Sequence, residues 1–172
     1  DSVKSRGLGD VYKRQHPNLV VTRTFSKAYG MSGLRVGYGV CDPKIADMLN
    51  RVRQPFNVTL PSLAAAVAAI DDRDYIAQSA SLNRNGMAAL SEGFSQLGFD
   101  YIESAANFIT FNTGEFNTAA LNDRLLRKGV IVRPLANYGL NSWLRVSIGV
   151  EQENAFFLQQ LAAVRDEMLD GT

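Results

Sequence analysis

Residues 22–40, "TRTFSKAYGMSGLRVGYGV", place one lysine, Lys27, among small, hydroxyl-bearing and glycine residues. The β-branched run "LVVTRTF" precedes this lysine, and the segment "RVGYGV", which begins at Arg35, follows it. Runs of this kind predict β-strands, and the glycines between them predict a loop. We therefore expect two strands that flank a loop carrying Lys27, with Arg35 eight positions further along the chain.

Three helices are predicted downstream of these strands. The Asp-Pro pair at 42–43 starts the first, and Pro61 starts the second, which is rich in alanine and runs through Ile70. Because the second helix is apolar on nearly every side, we expect it to be deeply buried. The third runs from about residue 75 to 97, where Gly98 offers a C-terminal cap.

From residue 98 onward the predicted elements are short. Strands are predicted in "FDYIE", "NFITF", "VIV" and "WLRVSIG". A helix closed by Gly129 precedes "VIV", and a terminal helix starts at about Glu151. The order strand, strand, helix, strand, strand, helix predicts a small α/β sandwich.

The composition excludes several classes of protein. The chain has 172 residues, of which 46% are hydrophobic and 20% charged, and this balance is typical of a globular protein. Its 18 Lys and Arg against 17 Asp and Glu leave a net charge of +1, so no overall field favours nucleic acid or a membrane surface. No apolar run approaches the roughly 20 residues of a membrane span. We expect small-molecule or protein partners.

Cysteine and histidine are scarce. The one cysteine, Cys41, has no partner for a disulfide within these residues, so we expect a reducing, cytoplasmic location. The one histidine, His16, excludes a multi-histidine metal site within the chain and argues against a Ser/His/Asp or Cys/His centre. We expect no metal, and the chemistry has to use other groups.

Lys27 and Arg35 together point to one such chemistry. A lysine amine attacks an aldehyde only in its neutral form, which a neighbouring cation such as Arg35 favours. A guanidinium also holds a phosphate through paired hydrogen bonds, and the hydroxyls of Thr24 and Ser26, with backbone N–H groups of the turn, could add donors. These residues fit a phosphate-bearing aldehyde, which means pyridoxal phosphate. The alternative is that Lys27 is solvated and Arg35 ends a strand at the surface, since short motifs occur by chance.

The segment "RTFSKAYGMSGLRVGY" closely resembles the cofactor-lysine segment of fold-type I aminotransferases, in particular of the histidinol-phosphate aminotransferase family. A second segment, "GVIVRPLANYGLNSWLRVSIG", resembles the same family in order and spacing, and the resemblance covers about residues 16–168. It implies an α/β fold class: the C-terminal part of a fold-type I pyridoxal-phosphate aminotransferase. That part would comprise the end of the large-domain sheet, a long linking helix and a small α/β sandwich domain.

The resemblance implies roles for four residues of the first segment. Lys27 would carry pyridoxal 5'-phosphate covalently and act as the catalytic base. Thr24, three residues before it, and Arg35, eight residues after it, would contact the cofactor phosphate. Ser26 is a weaker candidate for the same contact.

Two arginines near the C-terminus would bind substrate. By resemblance, Arg145 in the "LRVSIG" strand binds the acidic end of substrates, either the carboxylate of glutamate or the phosphate of histidinol phosphate. Arg133 matches a second family arginine that engages the same anion. Two fixed guanidinium groups suit a dianion because each can donate paired hydrogen bonds. The alternative for each arginine is an ion pair with a surface carboxylate.

The implied reaction is a ping-pong transamination. Histidinol phosphate and 2-oxoglutarate would give imidazole acetol phosphate and glutamate in histidine biosynthesis, and the full-length enzyme would be a homodimer. Two alternatives remain open. One is a sibling pyridoxal-phosphate enzyme, such as an aromatic aminotransferase or a threonine-phosphate decarboxylase; the other is a noncatalytic interaction module that reuses the small α/β domain.

The predicted domain organisation has four parts. Residues 1–15 have no periodic pattern and no signal-peptide core, and we expect a foreign segment, resembling translated adapter or vector sequence, or a disordered arm. Residues 16–74 are expected to be a remnant of the cofactor-binding large domain, residues 75–97 a linking helix and residues 98–172 a small C-terminal domain. The chain would then lack the half that supplies the acidic partner of the pyridine nitrogen, and apolar surface would be exposed where the missing strands belong.

Overall fold

The computed structural model describes residues 16–171, so the segment 1–15, with the expectation attached to it, lies outside the described residues. The chain divides into two compact units, Asp1–Ala77 and Gln78–Thr172, each with its own core. Both units contain helices and strands, which confirms the predicted α/β class. No helix among residues 16–171 has both the length and the apolar character needed to cross a membrane.

Strands β1, Val21–Thr24, and β2, Gly37–Val40, form an antiparallel pair in the first unit. The register places Thr24 opposite Gly37. A glycine is required at position 37 because a Cβ atom there would lie 2.6 Å from the carbonyl oxygen of Arg23. The two strands confirm the prediction made from "LVVTRTF" and "RVGYGV", and they hold the two ends of the lysine loop.

Two helices follow in the same unit. Helix α1, Pro43–Val52, begins after Asp42, whose Oδ1 accepts a hydrogen bond from a backbone N–H of the first turn at 2.9 Å. Helix α2, Leu60–Asp71, begins after Thr59, whose Oγ1 accepts from Ser62 N at 3.3 Å. Both helices have a proline in the first turn, where its missing N–H costs nothing, as the sequence predicted.

The prediction that helix α2 is deeply buried is wrong. Only Ser62 and Ala66 of this helix are buried, whereas Leu60 is 82% exposed and Val67 68% exposed. The physical reason is the small size of the first unit's core, which covers one side of the helix and consists of Phe25, Val36 and Ala66. Apolar side chains of helix α2 are therefore left at the surface.

A long helix, α3, spans Arg73–Leu97 and confirms the helix predicted at 75–97. Gly98, with a φ of 78°, follows its last residue, and the Gly98 N–H donates to Ser95 O at 3.2 Å. The boundary between the two units falls near the start of this helix, after Ala77. The division into a large-domain remnant, a linking helix and a small domain stays a prediction.

The second unit contains a four-stranded antiparallel sheet with the strand order β3-β4-β6-β5. The strands are β3, Tyr101–Ile102; β4, Phe108–Asn112; β5, Arg133–Leu135; and β6, Leu140–Ser147. Helix α4, Thr118–Arg127, lies between β4 and β5 in the chain, and helix α5, Glu151–Leu169, follows β6. This order of elements is the one that the sequence predicted.

One face of this sheet packs into the core of the second unit. Phe111 of β4 and Leu144 of β6, which lie opposite each other, are fully buried, and Val146 is 8% exposed. Helices add further large buried side chains to this core, namely Leu90, Phe94, Leu121, Leu125, Phe157, Leu161 and Val164. Because side chains alternate along a strand, Arg145 lies on the face opposite the core.

The strand predicted at "VIV", residues 130–132, is wrong in position: the strand begins at Arg133. Val130 instead completes the end of helix α4, since its N–H donates to Leu125 O at 2.9 Å. Val130 and Val132 are both buried, so their apolar character reflects the core rather than a strand ladder. Pro134 lies in β5 at the edge of the sheet, where a residue without an N–H is tolerated.

Candidate functional site

Phe25 anchors both ends of the lysine loop. It is buried, its N–H donates to Val36 O at 3.1 Å, and its carbonyl oxygen accepts from Met31 N at 3.0 Å. The ring of Tyr29 lies 4.6 Å from the ring of Phe25, measured between centroids. One buried residue therefore holds the start of the loop to its end.

Lys27 lies on a tight turn inside this anchored loop. Its carbonyl oxygen accepts from Gly30 N at 2.8 Å, and Gly30 has a φ of 68°, a left-handed conformation that glycine adopts without strain. The Lys27 side chain is exposed and forms no hydrogen bond or ion pair with any residue in the range 16–171. The amine is therefore available to a small molecule.

Arg35 has an unusual backbone conformation at the end of the loop. It follows a short 3₁₀ helix, Ser32–Leu34, and adopts φ 51° and ψ 44°, in the left-handed region. For a residue with a Cβ atom this conformation costs about 1–2 kcal/mol. The guanidinium returns to the loop, where Nη1 donates to Ser32 O at 2.9 Å and lies 3.5 Å from Ser26 Oγ.

Thr24 joins the same group of residues. Its Oγ1 accepts a hydrogen bond from Ser26 N at 3.1 Å, so Thr24, Ser26 and Arg35 form one connected set, which we call the hydroxyl–arginine cluster. The expectation that backbone N–H groups of the turn add donors stays a prediction, but two of these groups are not available. The N–H groups of Ser26 and Gly30 are already used, by Thr24 Oγ1 and by Lys27 O.

The hydroxyl–arginine cluster suits a phosphate group. Within residues 16–171 no carboxylate pairs with Arg35, and two of its three guanidinium nitrogens make no hydrogen bond. Each hydroxyl retains a proton to donate, and the arginine side chain and Thr24 are both exposed. A positive fork next to two hydroxyls, with the Lys27 amine in the same short loop, fits the donor set that pyridoxal phosphate requires.

Arg133 and Arg145 are brought together in the second unit. The register of β5 and β6 places them directly opposite each other, and on its other side Arg145 lies opposite Thr110 of β4. The Cζ atom of Arg145 lies 4.7 Å from the centroid of the Phe108 ring. Arg133 lies beside Tyr138, with Nη2 3.5 Å from the phenol oxygen.

This pair of arginines is electrostatically unfavourable as it stands. Like charges directly opposite in an antiparallel ladder destabilise it. Neither guanidinium forms an ion pair with a carboxylate in the part of the chain that the structure describes, so the alternative of a surface ion pair finds no support there. An anion bound between the two guanidinium groups would relieve this repulsion.

Sequence reasoning missed two contributors to these clusters. Phe108 lies in the predicted strand "NFITF", but its contact with Arg145 follows only from the register of β4 and β6. Ser62, whose hydroxyl donates to Leu34 O at 2.8 Å, lies 28 residues from its partner, and no local pattern signals such a bond.

Comparison with known proteins bears on the class of protein that this fold defines. A model of the family "Aminotransferase class I and II" matches residues 11–161. Histidinol-phosphate aminotransferase 2 of Pseudomonas aeruginosa is 55% identical over 153 residues, which make up 89% of this chain and 41% of that protein. Histidinol-phosphate aminotransferase 1 of Cupriavidus pinatubonensis is 53% identical over 150 residues, or 86% of this chain and 40% of that protein.

A solved structure extends this similarity to the fold. The crystal structure of histidinol-phosphate aminotransferase from Sinorhizobium meliloti in complex with pyridoxal-5'-phosphate matches with a TM-score of 0.81 and 30% identity, covering 88% of this chain and 42% of that chain. The α/β fold is therefore part of an aminotransferase fold. The chain belongs to the class I and II aminotransferase family. It spans about two fifths of the length of the curated relatives that it matches.

Proposed function

We propose that this chain is the C-terminal part of a cytoplasmic, homodimeric histidinol-phosphate aminotransferase. The reaction would convert histidinol phosphate and 2-oxoglutarate into imidazole acetol phosphate and glutamate, in histidine biosynthesis. The family and the names of the relatives at 53% and 55% identity support an aminotransferase of this pathway. The roles of individual residues rest on the geometry of the two clusters.

The hydroxyl–arginine cluster beside Lys27 is the observation that carries the proposal. Pyridoxal phosphate, when bound, supplies the aldehyde carbon that takes up the amino group and a ring that withdraws electrons from it. Arg35 would bind the phosphate through the guanidinium nitrogens that remain unpaired, and Thr24 and Ser26 would donate their hydroxyl protons to it. Lys27 Nζ would hold the cofactor covalently, because it is the amine that lies on this loop.

Lys27 would also move the proton in the reaction. Once a substrate amine replaces it, the Nζ atom is a neutral amine, and a neutral amine can take the proton from the substrate α-carbon. Backbone hydrogen bonds of Phe25 anchor the loop around Lys27, so the backbone from which this side chain extends stays in place when the amine changes partner. One side chain can therefore serve as covalent holder and as base.

Arg133 and Arg145 would bind the acidic end of the substrate. Their opposed positions on β5 and β6 give two guanidinium groups on a rigid sheet, which suits a phosphate or a carboxylate. Binding of this anion is favoured because it offsets the repulsion between the two cations. Phe108 and Tyr138 would limit the positions that the two guanidinium groups can take.

The experiment that tests the cofactor assignment is borohydride reduction of the chain in the presence of pyridoxal phosphate, followed by peptide mapping. We expect the label on Lys27, and Lys44, an exposed lysine of the same unit, serves as the internal control for nonspecific reaction. Equal labelling of Lys27 and Lys44 would contradict the assignment.

The substrate assignment needs a longer protein. Residues 16–172 of this chain can be joined to the part of the Pseudomonas aeruginosa relative that precedes the matched segment, since the two are 55% identical where they overlap. We expect this protein to transaminate histidinol phosphate in preference to phenylalanine. Preference for phenylalanine, or decarboxylation of threonine phosphate, would replace the proposal with one of the sibling activities.

A further inference from the structure

Ser62 makes a hydrogen bond that reaches the lysine loop from a distant part of the chain. Its hydroxyl donates to the carbonyl oxygen of Leu34 at 2.8 Å, across 28 residues of sequence. The side chain is only 2% exposed, and it is the one buried polar side chain among residues 16–77. A buried hydroxyl has to be paired, so this bond is a fixed part of the unit.

The direction of the hydrogen bonds around Ser62 follows from a count of protons. A serine hydroxyl has one proton, and Ser62 gives it to Leu34 O. The 2.9 Å contact between the hydroxyls of Ser62 and Thr59 therefore has Thr59 as the donor. A chain of two hydroxyl groups thus runs from the first turn of helix α2 to the Leu34 carbonyl, and each donor strengthens the next.

The bond acts on the residue that follows Leu34. The Leu34 carbonyl and the Arg35 N–H belong to the same planar peptide unit, so holding the carbonyl fixes the plane from which the φ angle of Arg35 is measured. Arg35 has a φ of 51°, which is uncommon for any residue other than glycine. Such conformations persist where neighbouring contacts hold them.

We propose that Ser62 is a positioning residue for the cofactor phosphate. Through the Leu34 carbonyl it holds Arg35 in the left-handed conformation from which Nη1 reaches Ser32 O and Ser26 Oγ. Without the bond, Arg35 relaxes toward ordinary backbone angles, and its guanidinium leaves the hydroxyl–arginine cluster. This inference rests on the proposed function, because the role of Ser62 depends on the role of Arg35.

The test compares pyridoxal phosphate with pyridoxal, which lacks the phosphate. The 172-residue chain is incubated with each aldehyde over a range of concentrations, and borohydride then reduces the C=N bond that Lys27 Nζ forms with the aldehyde carbon on loss of water. Mass spectrometry gives the occupancy of Lys27, with Lys44 as the internal control. The ratio of the two half-saturating concentrations is the phosphate preference of Lys27.

Ser62→Ala is expected to lower this preference about 3- to 10-fold, the range for loss of one hydrogen bond, while the affinity for pyridoxal stays unchanged. In an Arg35→Ala background the same substitution should have no further effect, because the two residues act through one path. Asp42→Ala is the matched control. It removes a side-chain cap from the neighbouring helix α1 and should leave the preference as it is.

Each result decides between the proposals. If the wild-type chain shows no preference for the phosphate form, the proposed cofactor site fails and the role of Ser62 fails with it. If the wild type shows the preference and Ser62→Ala keeps it, or loses it equally in the Arg35→Ala background, only the positioning role is refuted.

A second variant covers the case in which Ser62→Ala does not fold, as judged by circular dichroism. The same measurement is then made on Ser62→Cys. Its thiol fills a similar space but donates weakly, so at least a twofold loss is expected and an unchanged preference refutes the role.

Discussion

Replacement of Arg145 by alanine separates a binding role from a structural one, because the two roles predict different results. In the structure the Arg145 guanidinium stacks on Phe108, a contact worth about 0.5–1 kcal/mol. The same guanidinium lies opposite Arg133, and such a repulsion costs about 0.2–1 kcal/mol. These two contributions have opposite signs and similar sizes. Arg145→Ala should therefore change the free energy of unfolding by less than about 1 kcal/mol.

Substrate binding should respond far more strongly. Loss of one member of a buried, hydrogen-bonded charge pair costs about 2–5 kcal/mol of binding free energy. At about 1.4 kcal/mol per factor of ten, the apparent affinity for substrate falls between about 30-fold and several thousand-fold. Reaction at Lys27 should persist, since this lysine lies on a separate loop in the first unit.

The assay uses the full-length protein made with the Pseudomonas aeruginosa segment. KM and kcat are measured for histidinol phosphate and for 2-oxoglutarate, and the midpoint of chemical denaturation is measured alongside. Arg127→Ala is the matched control, because Arg127 is an exposed arginine that already has a carboxylate partner, Asp123, at 2.8 Å. Unchanged KM and kcat for both substrates would remove Arg145 from the site. A loss of more than about 2 kcal/mol in stability would instead give Arg145 a structural role, because its contact with Phe108 and its repulsion from Arg133 should nearly cancel.

The cofactor cluster, the core of the second unit and the activity of the chain each allow a further test. Arg35→Ala should weaken retention of pyridoxal phosphate more than it alters the choice of substrate, because two of its guanidinium nitrogens make no hydrogen bond within residues 16–171 and can donate to the phosphate; equal cofactor affinity in a titration would contradict this. Leu161→Ala, at a fully buried position, should cost about 2–5 kcal/mol in unfolding experiments, whereas Leu169→Ala, at a position 67% exposed, should cost under about 0.5 kcal/mol; similar losses would refute the core assignment. The 172-residue chain alone should show negligible transamination, since no acidic partner for the pyridine nitrogen is expected in it. Robust turnover would contradict the proposal that this chain is only the C-terminal part of the enzyme.

Local sequence patterns predicted most elements of the fold. The β-branched run before Lys27 and the Asp-Pro pair at 42–43 act through neighbouring residues, so their effects are visible in a short window. The run "VIV" at 130–132 misled the prediction because burial and strand formation favour the same residue types. Val130 and Val132 are buried, but the strand begins one residue later, at Arg133.

The burial of helix α2 could not be predicted from its sequence. Apolar residues on all sides of a helix, such as Leu60 and Val67, show that it could be buried. They do not show whether other elements of the structure pack against each side. In this chain both residues are largely exposed. Two of the candidate cofactor residues, by contrast, do lie side by side: Arg35 Nη1 is 3.5 Å from Ser26 Oγ, although the residues are nine positions apart in the sequence. Their role in binding a cofactor stays a prediction. No local pattern predicts the left-handed conformation of Arg35. The contact that accompanies it, from Ser62 to the Leu34 carbonyl, joins residues that are 28 positions apart.

The lysine loop shows how a segment rich in small residues acquires a fixed shape. Glycine and serine lose much conformational freedom when a loop is ordered, so contacts have to offset that cost. Here the contacts come from buried residues: Phe25 bonds both ends of the loop, and Ser62 holds the Leu34 carbonyl. The Lys27 side chain contributes none of these bonds within residues 16–171. A lysine that holds and then releases a small molecule benefits from this separation, because no bond that shapes the loop has to break when its amine changes partner.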